Sequence, residues 1–190
     1  MNVKQNVKIL ALVGLAGSGK SSAVEYLTKL GHPKIYFGGI IYKAMEAAHI
    51  PIDWDSQQVF REEIREKEGK DFVVKRAINE AHSLIAAGQK RIILDGLYTW
   101  SEYKILKHEF PGSEMVVVAI VTPKSLRKAR MAKRPERPMT SQEVDERDWT
   151  EIENLEKGGP IAVADHYIMN NGSLEELHQA IDHLITTIDF

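Results

Sequence analysis

The residues Gly14-Leu15-Ala16-Gly17-Ser18-Gly19-Lys20-Ser21 place glycines, a lysine and a hydroxyl at a spacing suited to holding phosphate. The pattern is glycine, four free positions, glycine, lysine, serine. Glycines at 14, 17 and 19 let the backbone turn tightly with its N–H groups aimed inward, and the following helix adds the positive end of its dipole. A nucleoside triphosphate is the anion that fits. Lys20 would reach its β- and γ-phosphates, Ser21 would hold Mg²⁺, and Gly14, Ala16, Gly17, Ser18, Gly19 and Ser22 would complete the cradle. A glycine-rich turn without chemistry is the competing reading. The apolar run Val7 to Val13 before the loop, and the helical pattern Ser21 to Leu30 closed by Gly31, weigh against it.

A second set of residues suits the movement of phosphate. Arg127, Arg130 and Arg134 recur at spacings of three and four, so they share one stripe of a helix, and Arg137 follows in a loop. Phosphoryl transfer spreads negative charge over the transferred group, and a basic arm closing over the loop would stabilise that charge. A solvated face paired with neighbouring acids is the alternative for any one of these arginines. Asp95 ends the apolar strand Arg91 to Asp95, where it could hold Mg²⁺ through water or orient an acceptor, or simply shape the turn before Gly96. Asp53 and Asp55 flank Trp54 and could contact a substrate or shape a turn.

The remaining pattern supplies the elements that must position these groups. Strand-like runs at Lys34 to Phe37, Arg91 to Asp95, Met115 to Val121 and Ala164 to Met169 join the first one. Helical periods at Ile40 to His49, Gln57 to Glu68, Lys70 to Ala87, Thr99 to Phe110 and Ser173 to about Ile188 alternate with them. Met115 to Val121 is unbroken apolar sequence, as expected of a central parallel strand. The alternation predicts an α/β three-layer sandwich, a parallel sheet of about five strands with helices on both faces and the phosphate loop at its carboxyl edge. Residues 124–137 carry seven basic side chains against Glu136, and residues 143–156 carry seven acidic ones against Arg147. These two segments are expected to lie together, with Thr140-Ser141-Gln142-Glu143 capping the acidic helix and Gly158-Gly159-Pro160 ending the unit.

Bulk properties limit the function classes. A chain of 190 residues with 43% hydrophobic and 27% charged residues suits a single globular domain with a sizeable core. No apolar run is long enough to cross a bilayer and Met1 to Gln5 is not signal-like, so the cytoplasm and no membrane partner are expected. The absence of cysteine removes disulfides, thiol nucleophiles and cysteine-based zinc sites, and seven scattered histidines lack metal-ligand spacing. A net charge of −2 gives no general attraction to nucleic acid.

Taken together, Gly14 to Ser21, Asp95-Gly96-Leu97, the arginines from 127 to 137, Arg147-Asp148 and the tail Ala164 to Leu177 resemble the P-loop nucleoside-monophosphate-kinase-like, or adenylate-kinase-like, group. Within it the chain is most similar to the dephospho-CoA kinases and their archaeal-type relatives. The tail, an aspartate-containing strand followed by asparagine, glycine, serine and leucine, is the most diagnostic part. The resemblance implies a single P-loop domain with its core at 1–37, 70–123 and 158–190, an acceptor-binding insert at 38–69 and an arginine-rich lid at 124–157. It implies ATP and Mg²⁺, a small-molecule phosphate acceptor, lid roles for Arg130, Arg134, Arg137 and Arg147, and an adenine near Asn170, Asn171 and Gly172. Two departures bear on the acceptor. Where relatives carry arginines to clamp its phosphate, this chain has Tyr42 and Tyr98, which lack a bidentate charge. Gly39 stands where a carboxylate base is usual, so Asp95 would serve instead, with Gly39, Tyr42, Lys43, Asp95, Tyr98 and Arg147 around the acceptor.

Three functions compete on these grounds. The first is a kinase moving the γ-phosphate of ATP to a nucleotide-like acceptor, of the nucleoside monophosphate or dephospho-CoA type. The second is a regulatory ATPase or switch without such an acceptor. The third is a nucleic-acid binder using residues 124–137, which the compensating acidic helix and the lack of interleaved aromatics disfavour.

Overall fold

The computed structural model describes residues 6–190, apart from the side chains of 54, 55, 57, 58, 61, 65 and 113. Five parallel strands form one sheet: β1 (Lys8–Val13), β2 (Lys34–Tyr36), β3 (Arg91–Asp95), β4 (Met115–Val121) and β5 (His166–Met169), in the spatial order β2-β3-β1-β4-β5. The register pairs Leu12 with Asp95 and Val13 with Ala119. The carboxyl ends of β1, β3 and β4 therefore finish side by side, and the sheet reverses its strand order there. A crevice beyond such a switch point is where open α/β sheets bind ligands.

Alternation along each strand sends odd and even residues to opposite faces. Ile9, Ala11, Val13, Ile92, Leu94, Val117 and Ala119 face α4 (Phe72–Ala86) and α5 (Trp100–Glu109), which contribute Val74, Ala77, Ala81 and Leu106. Leu10, Leu12, Ile93, Val116, Val118, Ile120 and Ile168 face α1 (Lys20–Lys29) and α9 (Leu174–Thr187), which contribute Ala23, Val24, Leu27, Leu177, Ile181 and Leu184. The three-layer α/β architecture expected from the sequence is the one observed. A third, smaller core joins α2 (Phe37–Ala47) and α3 (Trp54–Glu68) to the start of α4 through Ala44, Met45, Phe60, Ile64 and Phe72.

Several boundaries differ from the sequence reading for local reasons. Gly38 and Gly39, which fall between the expected strand Lys34 to Phe37 and the expected helix from Ile40, lie in the first turn of α2. A Cβ on Gly38 would sit 2.6 Å from the Tyr36 ring, and one on Gly39 would sit 3.0 Å from it, so the glycines let strand and helix meet without a loop. α3 begins at Trp54 rather than 57, because Asp53 caps it, its carboxylate accepting from the Ser56 backbone N–H at 2.9 Å and the Ser56 hydroxyl at 2.7 Å. Asp53 thus shapes a turn, while the Asp55 side chain and the segment Met1 to Gln5 lie outside what is described. Beyond α6 (Lys124–Ala132) and α7 (Ser141–Glu153), Gly158-Gly159-Pro160 does not end structure but begins a short helix, α8 (Gly158–Ala162).

Asp165 locks the last strand to the sheet. Its Oδ2 accepts from the Val117 N–H at 2.7 Å and from Lys107 Nζ at 3.1 Å. Removing the carboxylate leaves a strand N–H without its partner. Asp165→Ala is expected to lower stability by about 1–3 kcal/mol, read as a lower denaturation midpoint with an unchanged denaturant slope.

Candidate active site

The phosphate loop folds as its glycines require. Gly14, Gly17 and Gly19 have φ of 157°, 79° and 97°, the latter two in the left-handed region that favours glycine. Gly19 also approaches Asn170 so closely that an added Cβ would collide with its side-chain amide. That amide donates to the Ser18 carbonyl at 2.8 Å, and the Thr122 hydroxyl donates to either of two acceptors, the Ser18 or the Asn170 carbonyl, each at 3.0 Å. The ends of β4 and β5 thereby hold the loop from behind. Asn170 is 6% exposed and does structural work, whereas Asn171 is exposed to solvent.

In front of the loop lies a cavity of about 430 Å³ lined by Gly14 to Ser22 and by Lys34, Tyr36, Asp95, Tyr98, Arg130, Met131, Arg134, Arg147, Glu151 and Lys157. Six basic side chains face it against two carboxylates, a balance suited to a polyanion. Lys20 lies on Asp95 as a close ion pair in which both side chains are mostly buried. Ser21 and Asp95 bring a hydroxyl and a carboxylate to the same cavity wall. This donor set fits Mg²⁺, a hard cation that takes one or two protein oxygens and completes its shell with phosphate oxygens and water. Among the described residues no cluster of three or more His, Cys, Asp or Glu offers an all-protein metal cage.

The structure divides the arginine stripe. Arg127 is 5% exposed and turned inward. Its guanidinium grips Asp148 on α7 with bonds of 2.8 and 2.6 Å, and it donates to the Ala16 carbonyl of the phosphate loop at 2.9 Å. Arg130 reaches the Gly172 carbonyl at 3.2 Å and Asn170 Oδ1 at 3.4 Å. It therefore closes one side of a cleft of about 230 Å³ beside Gly19, Ser22, Gly172 and Leu174. Arg134 follows α6 and lines the main cavity. Arg137 is exposed at φ 51° and is not among the cavity-lining residues. Lys128 pairs with Asp145 at 2.7 Å, so the basic and acidic segments do meet, as their opposite charges suggest.

A second chamber of about 270 Å³ opens beside the first, walled by Tyr36, Phe37, Gly38, Ile41, Tyr42, Val73, Tyr98, Leu155 and neighbouring polar groups. Tyr42, Tyr98 and Arg147 reach it. Gly39 instead packs on Tyr36, and Lys43 points to Glu80 at 3.5 Å on the exposed side of α2. Burial, with Asp95 adding to it, pushes the Tyr98 phenol well above its usual value, so it stays a neutral hydroxyl. Lys157 lies over the Tyr98 ring at 4.5 Å and pairs with Glu151 at 3.0 Å, and burial lowers its ammonium below the usual range. Sequence reasoning passed over Glu151, Lys157 and Thr122. Glu151 is one of seven acids in its run and Lys157 lies just beyond that run, and the turn after α7 brings Lys157 back to Glu151 at the cavity.

Breaking the Arg127–Asp148 pair strands one buried charge. Asp148→Ala is expected to destabilise by about 3–5 kcal/mol, with Arg127→Met combined with Asp148→Leu recovering most of the loss in equilibrium denaturation. Equal losses in the single and double variants would exclude the pair as the cause.

Comparison with known proteins fits this geometry. A family model described as an AAA domain matches residues 10–167. A UPF0200 protein of Thermococcus gammatolerans is 30% identical over 182 residues, covering 95% of each chain. Among solved structures, a shikimate kinase from Bacteroides thetaiotaomicron superposes with a TM-score of 0.60 at 13% identity, covering 96% of this chain and 99% of its own. A dephospho-CoA kinase from Campylobacter jejuni gives 0.56 at 16%, covering 96% and 98%. The fold is thus of the P-loop kinase-like type, and the chain, matching the AAA domain over most of its length, belongs to the UPF0200 family.

Proposed function

We propose that the protein is an ATP-dependent small-molecule kinase that transfers the γ-phosphate to a nucleotide-like acceptor, of the nucleoside monophosphate or dephospho-CoA type. One observation carries the reading. Lys20, Arg130, Arg134, Arg147 and Lys157 converge on a single cavity floored by the glycine-rich loop, with a second, aromatic-walled chamber opening from it. A regulatory ATPase has no need of that second chamber. The structural likeness to shikimate and dephospho-CoA kinases supports the same class of chemistry.

In this reading the backbone amides from Gly14 to Ser21 hold the β- and γ-phosphates, and Lys20 leaves Asp95 to bind them. Ser21 and Asp95 are the residues that would hold Mg²⁺, which supplies charge neutralisation on the phosphates when bound. Arg130 and the Asn170–Gly172 turn seat the adenine side of ATP. Arg134 faces the transferred group, where a fixed cation stabilises the charge that develops in transfer. Tyr42, Tyr98 and Arg147 bound the acceptor, and the tyrosines favour planar contact over clamping of a phosphate. Lys43, Gly39, Asn171 and Arg137, expected at the site from the resemblance, act at most from outside the cavity as it stands. A small ligand completes the function, and neither a nucleic acid nor a membrane is invoked. No helix among the described residues is long and apolar enough to cross a membrane.

Three substitutions test the assignment. Lys20→Ala should reduce transfer from Mg-ATP by at least about 10²-fold, in the range lost with a key electrostatic donor, while the circular dichroism spectrum is retained. Wild-type turnover in that variant would remove the mechanism. Arg134→Ala should lower kcat by about 10- to 100-fold with little change in KM for ATP. Arg130→Ala should instead raise KM for ATP, because its contacts are with the nucleotide-side turn, and steady-state kinetics separates the two.

A further inference from the structure

Glu151, Lys157 and Arg147 stand at the junction of the two cavities and line both. Glu151 lies in the last turn of α7 and is 5% exposed. One of its oxygens, Oε1, accepts from Lys157 Nζ at 3.0 Å and from Arg147 Nε at 3.1 Å. The other, Oε2, is buried and has no hydrogen-bond partner. A buried carboxylate oxygen without a donor is costly and calls for an explanation.

The chemistry of the missing partner follows from the surroundings. An anionic phosphate oxygen placed against Oε2 would set like charges together in a poorly solvated pocket. A hydroxyl supplies the donor that Oε2 lacks without adding charge. Terminal carboxylate torsions are broad and roughly two-fold, so the carboxylate can turn to present Oε2 to such a donor with Lys157 and Arg147 still beside it. Phe37, Ile41, Val73 and Leu155, with the rings of Tyr42 and Tyr98, give the body of that molecule an apolar seat. Its hydroxyl would then point out of the chamber toward the phosphate cavity.

We propose that Glu151 binds the reacting hydroxyl of the acceptor, so that the group phosphorylated is an alcohol rather than a phosphate ester. This rests on the kinase reading and narrows it. In the transfer, the hydroxyl oxygen forms a bond to the γ-phosphorus of ATP while the bond from that phosphorus to the β,γ-bridging oxygen breaks. The bridging electron pair leaves with ADP, and the hydroxyl proton passes to Glu151 Oε2 and then to water. Lys157 and Arg147 hold the carboxylate at the junction throughout.

Water is the smallest hydroxyl, so basal Mg-ATP hydrolysis reads Glu151 before any acceptor is known. Glu151→Gln keeps the shape and an oxygen for Lys157 and Arg147 but accepts no proton. It is expected to lower the kcat of basal hydrolysis by about 10²-fold, with KM for ATP and Mg-ADP affinity by calorimetry close to wild type and the circular dichroism spectrum retained. A role confined to holding Lys157, which lines the phosphate cavity, would move KM for ATP or Mg-ADP affinity instead of kcat. In a panel of nucleosides, dephospho-CoA, shikimate and nucleoside monophosphates supplied with Mg-ATP, phosphate is expected on an alcohol, with the same loss of kcat in the variant. If no panel member reacts, the hydrolysis measurement alone decides. Unchanged hydrolysis in Glu151→Gln, preferential phosphorylation of a nucleoside monophosphate, or a wild-type protein that binds Mg-ADP yet neither hydrolyses nor transfers would each overturn the proposal. The first two outcomes leave the kinase reading standing. Failure of the wild-type protein to bind Mg-ADP at all would remove the kinase reading itself.

Discussion

The buried ion pair between Arg127 and Asp148 is the constraint on which the working end of the molecule depends. Taking two charges out of water is unfavourable, and the pair persists because its bonds are bidentate and a third one is made to the Ala16 carbonyl. That third bond matters most for architecture. It ties α6, α7 and the phosphate loop to one guanidinium, so the helix carrying Arg147 and Glu151 is registered against the loop that would hold phosphate. Lys124 and Lys128, which share Asp145 nearer the surface, add a solvent-screened supplement to the same attachment. An arginine at a stripe position that looks poised for phosphate is in this way consumed by positioning. Arg130 and Arg134, unlike Arg127, line the cavity.

How much of this was legible in the sequence depends on whether local physics or tertiary contact decided the outcome. The five strands and their parallel class were legible because apolar runs of strand length alternate with helical periods, and because a strand buried on both faces, such as Met115 to Val121, has no polar alternation. The phosphate loop was legible because its glycine positions are backbone requirements. Capping boxes at Thr99, Thr140 and Ser173 are present with both reciprocal bonds, and the last two were visible as residue spacings. The start of α2 was not, since Gly38 and Gly39 ordinarily mark a break and here make room for the Tyr36 ring. The brief α8 escaped for the same reason.

The candidate site was less legible than the fold. Arg127, Arg130, Arg134 and Arg137 are alike in type and nearly regular in spacing, yet one is buried, one touches the Asn170–Gly172 turn, one lines the cavity and one lies in solvent. Spacing on a helix assigns a face, and only packing of that face against α7 and β5 decides what each residue meets. Glu151 and Lys157 illustrate the converse. Nothing in an acidic run distinguishes one glutamate from its neighbours until the chain turns back and buries it beside a lysine. The tyrosines at 42 and 98 were legible as departures, and their walls around a separate chamber give those departures a chemical sense.

The small core formed by Ala44, Met45, Phe60, Ile64 and Phe72 has a consequence for how this architecture diversifies. It is separate from the two large cores that hold the sheet, but α2 spans the divide, since its first turn sends Phe37 and Ile40 into the large core facing α4 and α5 while Ala44 and Met45 serve the small one. Side chains of α3 can therefore be exchanged more freely than those of α2, whose first turn is part of the packing that supports the sheet. The chamber wall is divided accordingly, with Phe37 belonging to the large core and Ile41 packing against the small one. A change in the small core would thus reshape one side of the chamber, through Ile41, while the side anchored by Phe37 stayed in place.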